Sequence, residues 1–151
     1  MPERSSTPIA VISTKWRGVY ETLCKGDTAI FEQMGSLFTL CVTIGHLLGE
    51  SKTPENRDNL FRWSTMRSEI DVPILTAVAW DSCDRSMGIL TQEREIVEIC
   101  CGFAESGMEY LYDNLLEEFM ENGQLEFPKS FNFEFALAQE IEGLRKQHSV
   151  F

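Results

Sequence analysis

Positive charge is what this sequence has least of. Lys and Arg number 13 against 24 Asp and Glu, which leaves a formal net charge of -11 and a pI near 4.6. Nucleic-acid phosphates are bound by clustered Lys and Arg, so direct nucleic-acid binding is not expected. Anionic membranes are disfavoured on the same ground. Histidine is just as scarce, with only His46 and His148. Metal sites in helical bundles use Glu-x-x-His or paired His one turn apart. Three residues before these two histidines stand Thr43 and Arg145, so no metal is implied. G-x-S-x-G, P-loop and G-x-G-x-x-G patterns are missing too, and no cofactor is implied.

Long apolar runs are also lacking. The longest, "LFTLCVTIGHLLG" at 37–49, contains His46 and falls short of the ~20 residues that span a bilayer. It reads as a buried core helix. The start, "MPERSSTPIAVIS", has a four-residue apolar run behind an acid and does not read as a signal peptide. Cys24, Cys41, Cys83, Cys100 and Cys101 are an odd number with no C-x-x-C. Cys100 and Cys101 would point about 100° apart on a helix, which suits no shared tetrahedral site. Most lie among apolar residues, where a free thiol behaves as a small hydrophobe, and the reducing cytoplasm fits this usage best. Nucleophilic catalysis would need a Ser or Cys with a base. Cys24, beside Lys25, has the best cue for a reactive thiol, but a structural thiol is the plainer reading. An acid pair such as Glu117 and Glu118 would need a cleft to act as an acid/base couple. The chain is therefore read as non-enzymatic.

What remains is ordinary for one globular domain: 151 residues, 43% hydrophobic and 25% charged. Residues 1–8 read as a frayed tail and 9–148 as a single helical domain. Thr14 is placed to cap a short helix carrying Trp16, Val19, Tyr20 and Leu23 on one side. Thr28 would cap a central helix over 29–49, where Gly45 and Gly49 suggest a close neighbour or a fraying end. "LFRWS" at 60–64 alternates like a strand, with "QLEF" at 124–127 as its candidate partner. Asp71 would cap a helix to about Cys83. Thr91 would cap the longest helix, about 92–121, with a stripe through Ile96, Cys100, Phe103, Gly107, Leu111 and Leu115, ended by Asn122 and Gly123. Asn132 would cap the last helix, 133–147, and the "HSVF" end reads as frayed. The sum is an all-α bundle of four to five helices with a minor two-stranded β element.

The clearest feature is "ESGMEYLYDNLLEEFME" at 105–121. Glu105, Glu109, Asp113, Glu117 and Glu121 recur every fourth residue, Glu118 and Glu126 add to the field, and Arg94 is the only base between 86 and 128. On a continuous helix these five form a slanted band about 24 Å long, and their repulsion costs on the order of 1 to 2 kcal/mol. Replacing them with Gln would then leave the fold as stable or more so. Three explanations stand: a solvated face, a docking face for a Lys/Arg-rich protein, or a decoy of a phosphate backbone at a DNA-binding site. The band is expected to bind a partner through Glu105, Glu109, Asp113, Glu117, Glu118 and Glu121. Self-association through an exposed part of the apolar stripe is a further option.

The stretches "FEQMGSLFTLCVTIGHLLG" at 31–49, "ILTAVAWDS" at 74–82 and "GILTQEREIVEICCGFAESGMEYL" at 88–111 carry a resemblance. In that order they resemble the Dnd system-associated protein 4 family, small bacterial proteins found beside DNA phosphorothioation and phage-restriction clusters. The likeness covers about residues 28–120 and consists of core positions. It implies an accessory role in antiviral defence and carries over no catalytic residues. The expected function is an accessory subunit of an anti-phage defence or DNA-processing complex that docks a larger basic component, an ATPase or DNA-binding protein. The alternative is an acidic inhibitor or DNA mimic of a nuclease.

Overall fold

The computed structural model describes residues 7–25, 29–121, 124–128 and 130–147. Its elements in chain order are β1 (Ile9–Ser13), α1 (Arg17–Cys24), α2 (Met34–Leu48), β2 (Arg57–Arg62), α3 (Asp71–Ser82), α4 (Glu93–Leu111), β3 (Met120–Glu121), β4 (Gln124–Leu125) and α5 (Phe133–Gln147). This is the expected helical bundle with a minor β element.

The bundle is organised by α2 and α4, which make the most extensive contact of any two elements. Glycine sets how close they come. A Cβ on Gly107 would overlap the carbonyl oxygen of Cys41, and one on Gly45 would overlap that of Phe103. The two helix backbones therefore touch where any larger residue would hold them apart. Gly49 serves the helix end instead, capping α2 in the left-handed conformation at φ 72°. Leu37, Phe38, Cys41 and Val42 of α2 are fully buried. Nine consecutive residues of α4, Cys100 to Met108, are buried. A helix buried all round needs neighbours on more than one side. Here α2 lies against it with α3, and β1 covers another side.

The small sheet is where expectation and structure part. Of "LFRWS", only the first three residues are strand, the end of β2, and Trp63 and Ser64 already belong to a tight turn. The partner of β2 is Ile9–Ser13, antiparallel, with a register shift between Ala10 and Val11. "QLEF" instead folds back locally, as β4 pairs with β3. β1 runs with four of its five residues buried, so it shows no alternation that would betray a strand. Part of the expected tail is packed. Pro8 is buried, and its carbonyl accepts the Trp63 N–H at 2.9 Å. The remainder of the expected tail, residues 1–6, lies outside the described residues, as do Thr28, Asn122, Gly123 and residues 148–151.

Helix ends follow local chemistry. Asn132 caps α5 as expected, its Oδ1 accepting the Phe135 N–H at 2.9 Å. Thr14 does not cap α1: it opens a tight turn, and its hydroxyl donates to the Asn56 carbonyl. The chain from Ala29 to Gln33 is not helical, because Ile30 and Phe31 donate to the Leu23 carbonyl at 2.8 and 3.0 Å. Asp71 starts α3 and takes a two-pronged contact from Arg67, Nε to Oδ2 and a terminal nitrogen to Oδ1, both 2.9 Å. Burial alone would raise the Asp71 pKa, but the Arg67 guanidinium outweighs it and holds the carboxyl below its ordinary value. α4 ends ten residues before the expected stop. At Tyr112–Leu116 the backbone widens into a π-turn, and at Glu117–Phe119 it tightens before β3.

Candidate functional site

That early end breaks up the row of acids. Glu105 does not reach the surface: it is 6% exposed, deep in the buried part of α4. Its carboxylate accepts the Ser13 N–H at 3.2 Å, the Trp16 indole N–H at 2.9 Å and the Ser13 hydroxyl. The Ser13 oxygen in turn accepts the Glu55 N–H at 2.8 Å. Trp16 also packs on Tyr112, ring centroids 5.4 Å apart. Glu105 thus fastens the end of β1 to α4 and has no free face for a partner. Burying a carboxylate is tolerated only where donors replace its water, and three donors do so here.

Glu109 is committed as well. It forms an ion pair with Lys52, whose ammonium lies above its ordinary value, chiefly through this bond and also through the charges of Glu50 and Asp113. Lys52 comes from the loop after α2, which is why sequence spacing alone showed no base near the row. Asp113, Glu117, Glu118 and Glu121 are exposed. Past Leu111 they no longer share one α-helical face, because the π-turn and the tight turn each change the residue period. The continuous band does not form, and neither does the regular 6 Å step that would imitate phosphates.

A different acidic site takes its place. Glu118, Glu121 and Glu126 line an open crevice of ≈ 460 Å³ together with Phe119, Phe127 and Pro128. The β3–β4 hairpin sets it up, and the Glu126 N–H donates to the Phe119 carbonyl at 2.8 Å. Behind it stands a cluster of phenylalanines. Phe119 meets Phe131 at 4.4 Å and Phe127 at 5.0 Å, Phe127 stacks on Phe131 at 5.2 Å, and Phe127 reaches Phe133 at 5.6 Å. The Glu126 carboxyl is held above its ordinary value by its hydrogen bond to Glu121 and by that neighbour's charge. Among the described residues, no Lys or Arg makes an ion pair with Glu117, Glu118, Glu121 or Glu126. Two like charges on an aromatic wall suit a cation, which gains from both the carboxylates and the ring face. In the sequence Glu126 stands out only as part of the acidic field. The signal for the wall is "FPKSFNFEF", with four phenylalanines in nine residues.

Other candidates take structural places. His46 Nε2 lies 2.9 Å from Asp81 Oδ2, and Asp81 also accepts the Arg85 Nε at 3.1 Å. These two contacts, His46 first, hold Asp81 below its ordinary value. The Cys24 thiol is pushed up to about 11 by burial, against a smaller opposing effect of Lys25. Cys101 is pushed up to about 11 and Cys41 to about 12 by the same cause. Among the described residues, no three His, Cys, Asp or Glu side chains converge as a metal site would require. None of the helices there is long and apolar enough to cross a membrane. Compared with protein-family models, with curated proteins and with solved structures, the chain matches none.

Proposed function

We propose that this protein is a non-catalytic accessory subunit that docks a basic segment of a larger partner protein. The docking residues are Glu117, Glu118, Glu121 and Glu126, with Asp113 at the edge, and Phe119 and Phe127 form the wall. One observation carries the reading: Glu121 and Glu126 face each other in an open crevice with no base among the described residues to separate them. Such a pair repels at neutral pH. A Lys or Arg side chain inserted between the two removes that repulsion and packs on the rings. Glu105 and Glu109 are not docking residues, since one is buried and the other ion-paired. The setting, an antiviral defence or DNA-processing complex, is supported by the family resemblance of residues 28–120.

The test is a tagged pull-down from the native host at low and high salt, with the Glu117→Gln, Glu118→Gln, Glu121→Gln, Glu126→Gln variant run in parallel. The expected result is one basic partner, recovered at low salt, lost at high salt and lost in the variant. Equal recovery by the variant, with its thermal unfolding unchanged, refutes the reading.

A further inference from the structure

The second feature that the fold leaves open is an apolar groove along α3. Val72, Thr76 and Trp80 of the helix form one side, and Met87 and Leu90 of the tight turn Met87–Thr91 form the other, around ≈ 440 Å³. Met87 is 69% exposed and Leu90 40%. Four of the six large hydrophobic side chains exposed among the described residues, Ile70, Ile74, Met87 and Leu90, stand on this turn, on α3 or at its start. A group of this kind marks a contact surface. The lining also sets the form of the occupant. Val72, Thr76 and Trp80 are spaced four apart, so the groove follows α3 for about 12 Å, a little over two turns. Its side chains offer one hydroxyl, on Thr76, and the Trp80 indole N–H, which is shielded from solvent. An extended segment laid on such a wall would strand its own backbone N–H and C=O groups. A helix satisfies them internally and presents apolar side chains at i, i+3 or i+4, and i+7, one row over two turns.

Charge says what flanks that row. Two bases beside the groove are already committed. Arg67 grips Asp71 with two bonds, and Arg85 is bonded to Asp81 and lies over the Trp80 ring at 5.6 Å. The acids at the margins are not. Glu69, two residues before α3, Asp84, two residues after it, and Glu93, three residues after Leu90, are all exposed. No ion pair among the described residues involves any of the three. A second copy of this chain, at net charge -11, or an anionic lipid surface would bring more negative charge to these places. Lys or Arg at the ends of an apolar helix would instead be drawn to them.

We propose that the α3 groove binds an amphipathic helix of another protein, with its apolar row in the groove and Lys or Arg at its ends. The site is separate from the acidic crevice and does not depend on it. The test is a random peptide library displayed on phage, selected on the full chain and counter-selected on the Met87→Ser, Leu90→Ser variant. Both residues are exposed, so this variant is expected to melt with the wild type. The enriched peptides are expected to carry apolar residues at helical spacing and an excess of Lys and Arg toward their ends. The most enriched peptide, synthesised with a fluorescent label, then gives affinities by anisotropy. Met87→Ser, Leu90→Ser is expected to weaken it by about tenfold or more. Glu69→Gln, Asp84→Asn, Glu93→Gln is expected to weaken it several-fold and to reduce its salt dependence. The Glu117→Gln, Glu118→Gln, Glu121→Gln, Glu126→Gln variant should bind it like the wild type. No enrichment over the counter-selection overturns the proposal, as do enriched peptides that are acidic or lack helical spacing. Binding indifferent to the three neutralised acids overturns the basic partner, and binding lost only in the crevice variant overturns the groove.

Discussion

Replacing Glu105 should damage the fold far more than replacing any other acid of its row. Two donors aimed at the carboxylate cannot turn elsewhere: the Ser13 backbone N–H and the Trp16 indole N–H, both buried. The Ser13 hydroxyl is the third, and its oxygen is already engaged by the Glu55 N–H. A buried donor left without an acceptor costs about 1 to 3 kcal/mol. Glu105→Ala strands two fixed donors, so the loss is about 4 kcal/mol at the centre of a range of about 2 to 6. For a chain of this size that lowers Tm by about 8 to 16 °C. Glu105→Gln keeps one acceptor oxygen but turns an amide N–H toward a donor, so about half of that loss is expected. An opposing effect exists, since a neutral side chain avoids the desolvation of a buried charge. The three directed donors already offset that term in the wild type. The assay is urea denaturation followed by circular dichroism, with the slope checked for constancy. Asp113→Ala is the control, expected within about 0.5 kcal/mol of wild type. Glu105→Ala unfolding together with that control would refute the reasoning. It also follows that the five-Gln replacement, expected from sequence to be harmless to the fold, is not harmless once Glu105 is among the five.

Other predictions concern packing, acid and thiols. Gly107→Ala places a methyl on the Cys41 carbonyl and is expected to destabilise by about 2 kcal/mol or more, although Gly→Ala inside a helix ordinarily stabilises by up to ~1 kcal/mol. Gly143→Ala, in α5 with nothing within 4 Å of the added methyl, should show that ordinary gain. Parallel thermal melts distinguish the two signs. Asp71 is held below the ordinary carboxylate value, so its contribution is present above the unfolded pKa and is lost as pH falls through the folded one. Asp71→Asn should therefore reduce stability at neutral pH and flatten its decline below about pH 5, read by denaturant midpoints along a pH series. Cys24, with its thiol at about 11, should react with a disulfide reagent at neutral pH more slowly than free cysteine. Faster labelling would remove burial as the controlling effect.

The parts of the fold that could be read from sequence are those fixed by short-range pattern. α5 has the bounds expected from Asn132 and the Phe133, Leu137, Ile141, Leu144 spacing, because cap and stripe act within a few residues. β1 was illegible for the opposite reason. A strand buried on both faces has no period to detect, and its partner lies more than forty residues away. The π-turn at Tyr112 was hidden because the acids and leucines keep their spacing in sequence while the backbone adds a residue to the turn. Burial of Glu105 did leave a trace. It is the lone acid between Ile99 and Met108, in a stretch that also holds Gly102, Ala104, Ser106 and Gly107, the small residues of a close helix contact.

The fastening of β1 to α4 also bears on the order in which the chain can fold. Val11 donates to the Cys101 sulfur at 3.3 Å, and Ser13 reaches Glu105, contacts that span 90 and 92 residues. During synthesis the strand leaves the ribosome early, with Ala10, Val11 and Ile12 bound for the core and no core yet made. β2 and then α4 must emerge before these side chains find their places. Closure of such long loops slows folding, and an apolar segment exposed meanwhile invites pairing with other chains. A chaperone that masks residues 9–13 until α4 is complete would therefore raise the yield of native protein.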